Sequence, residues 1–272
     1  MAADLRPLAV VTGASSGIGY ELGKQFAEHG YDLVIAAEHR DGLAEAAQAF
    51  KAIDPAVQVE IVDADLSKSE GVTRLYQAIK GLGRPVDVLA ANAGVGVWGD
   101  FARETELDRE LRLIQLNVAS QVHLTKLVSR DMVERGRGRI LITSSIAGVL
   151  PGPREAVYAA SKAFLRFFGE ALHNELKDTG VTVTVLMPGP TDTNFFHRAG
   201  MDQTVAGKGE KGRSRHGGQG GLSGPRARDR PRRHRRQEQG HGRPQRRPAR
   251  HPEDRRPRHA DQDRFVRISH AL

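Results

Sequence analysis

The fold is decided by Thr12-Gly13-Ala14-Ser15-Ser16-Gly17-Ile18-Gly19, a turn that joins the apolar run Leu8–Thr12 to a helical segment. In such a strand-to-helix turn, Gly13 allows the tight bend, Gly17 lets a pyrophosphate approach the backbone, and Gly19 lets the helix pack against the strand. The N–H groups at the start of the helix attract anions. The turn therefore predicts a nucleotide site with the contacts Gly13, Ser15, Ser16, Gly17, Ile18 and Gly19.

Outward from this turn, short runs rich in Val, Ile and Leu alternate with longer segments of helical character. This alternation is typical of a parallel sheet with helices on both faces. The predicted strands are Leu8–Thr12, Asp32–Ala36, Gln58–Val62, Val86–Ala90, Arg139–Ser144 and Thr182–Met187. The predicted helices are Gly17–His29, Gly42–Ala52, Ser69–Gly81, Glu106–Val133 and Glu155–Asp178. Because crossovers between parallel strands are right-handed, we predict an α/β fold: a doubly wound parallel sheet of the Rossmann type in three α/β/α layers.

The pattern stops before residue 211, where we predict the end of the folded domain. The chain has a net charge of +8, but residues 211–272 hold 18 Arg and one Lys against six acidic residues, which leaves −5 on residues 1–210. From 211 onward, Leu222 is the only large aliphatic residue before Phe265. Such a segment buries too little apolar surface to offset its chain entropy, so we predict a disordered basic C-terminal tail.

Two explanations of this tail stay open. One is a natural basic arm, although the lack of interleaved aromatic residues argues against a nucleic-acid partner. The other is out-of-frame translation of a GC-rich coding sequence, which yields Arg, Pro, Gly and His with almost no Lys. We favour the frameshift hypothesis, because 18 Arg against one Lys is unusual in a tail selected only for charge. Sequencing the gene tests it, since the restored frame should encode an amphipathic continuation.

A second group of residues can carry acid–base chemistry. Tyr158-Ala-Ala-Ser-Lys162 places a phenol and an ammonium four residues apart, so both face the same side of a helix. Ser145 lies thirteen residues before Tyr158 at the end of a predicted strand, and Asn117 lies on the preceding helix. The phenol can exchange a proton with a substrate oxygen, and a serine hydroxyl can stabilise the charge that develops there.

The pKa of Tyr158 decides whether this exchange runs near neutral pH. Lowering a tyrosine pKa from about 10 by three units needs roughly 4 kcal/mol of preference for the phenolate. One ammonium about 4 Å away at an effective dielectric constant near 20 supplies about that much. We therefore expect Lys162 to lower the pKa of Tyr158.

These segments together resemble the short-chain dehydrogenase/reductase family over roughly residues 7–200. The resemblance implies that the glycine-rich turn binds NAD(P)(H) and that the catalytic residues are Asn117, Ser145, Tyr158 and Lys162. It further implies that Tyr158 and Lys162 contact the cofactor, and that Asn117 supports a proton relay through water. The expected activity is hydride transfer between NAD(P)(H) and a carbonyl compound or secondary alcohol.

Further cofactor contacts follow from the same resemblance. Asp65-Leu66 resembles the family's adenine-contacting pair, and Asn92-Ala93-Gly94 resembles its Asn-Asn-Ala-Gly motif with Ala91 in place of the first Asn. That motif steadies the sheet and touches the adenosine ribose. After the sixth strand, the resemblance implies that Pro188, Gly189, Thr191 and Thr193 hold the nicotinamide end.

The choice between NAD and NADP depends on the residues after the second strand. An acid such as Glu38 binds a ribose 2′-hydroxyl and repels a 2′-phosphate, whereas Arg40 would attract the phosphate. These two residues point in opposite directions, and we lean weakly to NAD.

The main alternative is a non-catalytic nucleotide-binding protein of the same fold, with this chain inactivated by its aberrant C-terminus. The family normally continues through a substrate-covering loop and helices to a seventh strand, where this chain has its Arg-rich tail. We therefore expect a less stable and less active chain than one with the usual continuation.

Composition and resemblance bound the setting of the protein. The chain has no cysteine, which fits a reducing compartment, and no apolar stretch near the roughly 20 residues of a membrane span. We expect a soluble, cytoplasmic protein with a small-molecule substrate, no metal and no membrane partner. The resemblance implies a homo-oligomer formed through the predicted helices Glu106–Val133 and Glu155–Asp178.

Overall fold

A six-stranded parallel sheet forms the centre of the protein in a computed structural model, which describes residues 5–189 together with 191–192, 199 and 212–213. The strand order is β3-β2-β1-β4-β5-β6, so the chain reverses direction across the sheet between β1 and β4. The strands are β1 Leu8–Thr12, β2 Asp32–Ala37, β3 Val59–Asp63, β4 Val88–Ala91, β5 Gly138–Thr143 and β6 Val181–Leu186. This arrangement confirms the predicted doubly wound Rossmann-type sheet.

Helices cover both faces of this sheet. They are α1 Gly17–Glu28, α2 Arg40–Ile53, α3 Ser69–Gly81, α4 Leu107–Ile114, α5 Ser120–Arg135 and α6 Ala156–Glu175. Successive side chains of β1 point to opposite faces, and Val10 and Val11 are both fully buried, in two separate apolar clusters. Val10 packs with residues of α3 and α5, whereas Val11 packs with residues of α1 and α2. The three predicted layers follow from this division.

The single helix predicted over Glu106–Val133 is wrong in one respect. A π-helical turn, Gln115–Ala119, separates α4 from α5. Such turns occur often at functional sites, and this one contains the fully buried Asn117. A 3₁₀ turn over Ile146–Gly148, which the sequence did not predict, follows β5.

At most of the other helix and strand ends, the predicted and observed boundaries differ by one or two residues. The helix predicted from Gly42 begins at Arg40, and the one predicted to Asp178 ends at Glu175. Frayed helix ends make boundaries the least certain part of such predictions. None of the differences moves a predicted site residue away from its strand end.

Most of the predicted tail lies outside the described residues. Gly212–Arg213 forms a two-residue parallel ladder with Thr191–Asp192. Within the described part, β6 pairs with β5 along one edge only. None of the described helices combines the length and apolar composition needed to cross a bilayer.

Candidate active site

A cavity of about 500 Å³ runs along the carboxyl ends of the strands. In an open parallel sheet the ligand site lies at this edge, where the strand order reverses. Its walls contain most of the site residues that the sequence predicts. They are Gly13, Ser15, Ser16, Gly17, Ile18, Glu38, Asp65, Leu66, Asn92, Ala93, Gly94, Ser145, Tyr158, Lys162, Pro188 and Gly189.

The glycine-rich turn has the backbone that the sequence analysis requires of it. Gly13 and Gly17 have φ angles of 68° and 59°, in the left-handed region that favours glycine. A Cβ atom on Gly19 would collide with the carbonyl group of Gly13, so close helix-to-strand packing needs a glycine there. The first turn of α1 contains no acidic residue, and its N-cap side chain, Ser16, makes no capping hydrogen bond.

The Asn92-Ala93-Gly94 segment is tied directly to this turn. Thr12 Oγ1 accepts hydrogen bonds from the backbone N–H groups of Asn92 at 2.9 Å and Ala93 at 3.0 Å. In return, Asn92 Nδ2 donates to the carbonyl oxygen of Thr12 at 3.1 Å. The ends of β1 and β4 are thereby fixed together, in agreement with the expected sheet-steadying role.

Ser145, Tyr158 and Lys162 meet in the wall of the cavity near β5 and β6. Tyr158 is 8% exposed and Lys162 is 5% exposed. A side-chain hydrogen bond joins the hydroxyl groups of Ser145 and Tyr158. Lys162 Nζ donates to the carbonyl oxygen of Thr143 at 3.0 Å, which fixes the ammonium against the end of β5.

The expected lowering of the Tyr158 pKa by Lys162 is not what the structure gives. Burial raises the pKa of Tyr158 to about 12, the hydrogen bond from Ser145 lowers it in part, and the charge of Glu155 raises it further. Burial also lowers the pKa of Lys162 to about 8. Lys162 Nζ lies 5.8 Å from the centre of the phenol ring. The expectation from the sequence considered only the charge of Lys162 and left out the burial of both groups, which disfavours the charged form of each.

Asn117 lies behind the cavity wall and does not line it. Its Oδ1 accepts from the backbone N–H of Val95, and its Nδ2 donates to the carbonyl oxygen of Val95, both at 2.9 Å. Nδ2 also donates to Ser161 Oγ at 3.1 Å. A Cβ on Gly94 would come within 3.1 Å of Asn117 Oδ1 and 3.4 Å of Lys162 Nζ, so the two side chains are close neighbours. The side chain of Asn117 thus positions the backbone beside Lys162.

The opposite end of the cavity is lined by acidic residues. Glu38 follows β2, and Asp65, which follows β3, accepts hydrogen bonds from the backbone N–H and the hydroxyl of Ser67. Burial acts to raise the pKa of Asp65, but these hydrogen bonds and the charge of Arg112 together hold it below its usual value. Arg40 is exposed in the first turn of α2 and is not among the residues that line the cavity, so its contact with the cofactor stays a prediction.

At the nicotinamide end, the predicted motif is described in part. Pro188 and Gly189 line the cavity, and the carbonyl oxygen of Pro188 accepts a hydrogen bond from the backbone N–H of Ile146 at 3.1 Å. For Thr191 only the backbone is described, in the short ladder, and Thr193 lies outside the described residues.

Comparison with known proteins decides the family. The model of the short chain dehydrogenase family matches residues 7–204. The chain belongs to this family. The very-long-chain 3-oxoacyl-CoA reductase of Rattus norvegicus is 34% identical over 183 residues, which are 66% of this chain and 58% of that protein. The chain therefore spans less than two thirds of the length of this relative.

Two solved structures with a bound cofactor have a similar fold. One is a short-chain dehydrogenase from Sphingobium yanoikuyae in complex with NADPH. It is 32% identical with a TM-score of 0.71, and the alignment covers 76% of this chain and 80% of that one. The other is 3-ketoacyl-(acyl-carrier-protein) reductase from Brucella melitensis complexed with NADH. It is 28% identical with a TM-score of 0.65, over 71% of this chain and 79% of that one.

The cavity of this family member fits a nicotinamide dinucleotide. The left-handed Gly13 and Gly17 and the acid-free start of α1 form a cradle for a pyrophosphate. A Cβ on Gly13 would lie 3.0 Å from the Cα of Ala93, so a side chain there would displace the floor of the cradle. Glu38 and Asp65 provide acceptors for the adenosine end, while Ser145, Tyr158 and Lys162 lie at the other end.

Two residues near the cavity were missed by the sequence analysis. Glu155 lines the cavity three positions before Tyr158, and burial raises its pKa. Arg112 on α4 reaches Glu38 across the adenosine end. Neither belongs to a motif, and Arg112 is 74 positions from Glu38 in the chain, so no local pattern connects them.

Proposed function

We propose that this short-chain dehydrogenase transfers hydride between NAD(P)(H) and a carbonyl compound or secondary alcohol. The observation that carries the proposal is the convergence of Ser145, Tyr158 and Lys162 on one cavity with the glycine-rich cradle. Membership in the family and its cofactor-bound relatives support the same activity. The cofactor, when bound, donates or accepts the hydride.

The chain's own residues handle the proton and the developing charge. Tyr158 exchanges a proton with the substrate oxygen through its hydroxyl group, because it is the only acid or base in hydrogen-bonding contact with Ser145 among the described residues. Ser145 donates a hydrogen bond to the same oxygen, which stabilises its negative charge. Lys162, held by Thr143, presents its ammonium beside the phenol and favours the phenolate when it is charged.

A cofactor-coupled screen of alcohols and ketones tests the proposal, with this chain beside its frame-corrected version. Tyr158→Phe is expected to lose about 10²–10⁴-fold in turnover while NADPH still binds, because only the exchangeable proton is removed. A Tyr158→Phe variant that kept most of its turnover would contradict the assignment. A chain that binds the cofactor but turns over no substrate in either version would favour the non-catalytic alternative.

We further propose a homodimer that buries the exposed apolar surface of α4 and α6. These helices pack against each other, and they expose Leu107, Leu111, Phe164 and Phe167. Phe167 is 66% exposed, and a large exposed apolar patch is typical of an interaction surface. Phe167→Arg should convert the dimer to a monomer in light scattering, whereas Phe101→Arg, an exposed apolar residue outside both helices, should not. A wild-type monomer would contradict the proposal.

Cytoplasmic localisation also stays a proposal. The absence of cysteine from the sequence supports a reducing compartment. Fractionation of the source cells tests it, and recovery of the protein outside the cytoplasm would contradict it.

A further inference from the structure

An arginine from a distant helix is bonded to Glu38, the acid that follows β2. Arg112 Nη2 donates to both carboxylate oxygens of Glu38, at 2.7 and 2.8 Å. The same nitrogen lies 3.8 Å from Asp65 Oδ1. One guanidinium on α4 therefore stands between the two acidic residues that line the adenosine end of the cavity.

The two acids differ in what else holds them. Asp65 also accepts hydrogen bonds from Ser67 and pairs with Lys68 at 3.4 Å. For Glu38, the bonds from Arg112 are the side-chain contacts that the structure records in its described part. The negative charge of Glu38 is therefore balanced by Arg112, whereas that of Asp65 is also stabilised by Ser67 and Lys68.

The pairing of Glu38 with Arg112 affects which group, a hydroxyl or a phosphate, can bind at the 2′-position of the adenosine ribose. A carboxylate at the end of β2 accepts a hydrogen bond from a 2′-hydroxyl but repels a 2′-phosphate, which carries up to two negative charges. A guanidinium bonded to that carboxylate cancels most of the repulsion at short range. Neither Arg40 nor Arg112 is among the residues that line the cavity, but of the two it is Arg112 whose bonds to Glu38 the structure records in its described part.

We propose that Arg112 determines cofactor selectivity by neutralising Glu38, so that the chain binds NADP(H) as well as NAD(H). The proposal rests on the proposed function, because it assumes that the cavity holds a nicotinamide cofactor. It replaces the weak lean to NAD, which considered Glu38 without its partner. Arg112 is 49% exposed and Glu38 is 45% exposed, so the pair is accessible to a ligand and to solvent.

Fluorescence titration of the full chain with NADPH and NADH tests the proposal without a known substrate. Arg112→Ala should raise the Kd for NADPH at least about tenfold and the Kd for NADH less than about threefold, since one uncompensated charge then faces the phosphate. Arg112→Lys keeps the positive charge, and it should keep the Kd for NADPH within about threefold of the wild type. Equal weakening of both cofactors in Arg112→Ala would contradict the proposal.

The double variant separates neutralisation from a structural role of Arg112. Glu38→Gln combined with Arg112→Ala should return the Kd for NADPH to within about threefold of the wild type, because no charge is left to neutralise. A double variant as weak as Arg112→Ala would overturn the mechanism. Arg109→Ala, which removes an exposed arginine three positions earlier on α4, is the matched control and should leave both values unchanged.

The same titration distinguishes a failure of the proposed function from a failure of the inference about Arg112. If the wild type binds neither NADH nor NADPH, both the proposed function and this inference fail. If both cofactors bind and the variants show no selective change, only the inference about Arg112 fails.

Discussion

At Lys162, the structure places an ammonium where burial opposes its charge. Its pKa falls to about 8 from 10.5, so the folded protein binds this proton less readily than the unfolded chain does. The unfolded state is therefore favoured as pH falls through 10.5, and the penalty is complete below about pH 8. By linkage it reaches roughly 3 kcal/mol at most. This cost is typical of a residue retained for activity and not for stability.

Replacing Lys162 should accordingly stabilise the fold while removing activity. We expect Lys162→Met to raise the free energy of unfolding by about 1–3 kcal/mol at pH 7, with the gain fading as pH rises toward 10.5. Urea unfolding across this pH range measures it. Lys177→Met, outside the cavity lining, is the control. A Lys162→Met variant less stable than the wild type at pH 7 would contradict the burial argument.

The charge of Glu155 leads to a separate prediction for the pH dependence of turnover. Its negative charge raises the pKa of Tyr158, so Glu155→Gln should lower that pKa. Alcohol oxidation needs the phenolate, and its rate should therefore rise at lower pH in the variant than in the wild type. Rate profiles against pH test this, with Glu170→Gln, a half-exposed acid paired with Arg166 on α6, as the control. A shift to higher pH would refute the assigned role of Glu155.

Among the elements, the 3₁₀ turn after β5 fixes the catalytic helix. A Cβ atom on Gly148 would lie 2.6 Å from the carbonyl carbon of Lys162, so turn and helix are in backbone contact. Gly148→Ala should destabilise the protein by about 1–3 kcal/mol and reduce turnover, because the backbone of α6 must shift at Lys162. Gly81→Ala in α3 has nothing within 4 Å of the added atom.

The two alanine variants form a matched pair for urea unfolding and for kinetics. Gly81→Ala should be neutral or stabilise by up to about 1 kcal/mol, since alanine has less backbone freedom to lose than glycine. If Gly148→Ala proves as stable and active as Gly81→Ala, the turn does not position Lys162.

The elements that the sequence predicted well have local causes. The turn from Thr12 to Gly19 and the strand ends were predictable because glycine spacing and apolar runs are patterns of neighbouring residues in the sequence. The π-helical turn at Asn117 was not, since the partners of the Asn117 side chain there, Val95 and Ser161, are 22 and 44 positions away in the chain. The proximity of Arg112 to Glu38 and the burial of Tyr158 likewise arise only when distant segments pack.

For the whole molecule, the excess positive charge and the residues of the candidate active site lie in different parts of the chain. The described cavity residues fall between Gly13 and Gly189, whereas the excess of arginine lies in residues 211–272. Deleting 214–272 should therefore leave the Kd for NADPH within about threefold of the full chain. It should also remove any salt-sensitive retention on a polyanion column. A large loss of NADPH affinity on deletion would show that the tail contributes to the site.

Deuterium transfer from the cofactor to the product shows whether this chain carries out hydride transfer, and it can be detected even at low turnover. A ketone from the screen is incubated with the full chain and NADPH that carries deuterium at the transferable position of the nicotinamide, and the alcohol is analysed by mass spectrometry. We expect one deuterium on the carbinol carbon, and at least about a hundredfold less labelled alcohol from Tyr158→Phe in the same time. Alcohol formed without the label, or labelled equally by both proteins, would contradict this expectation.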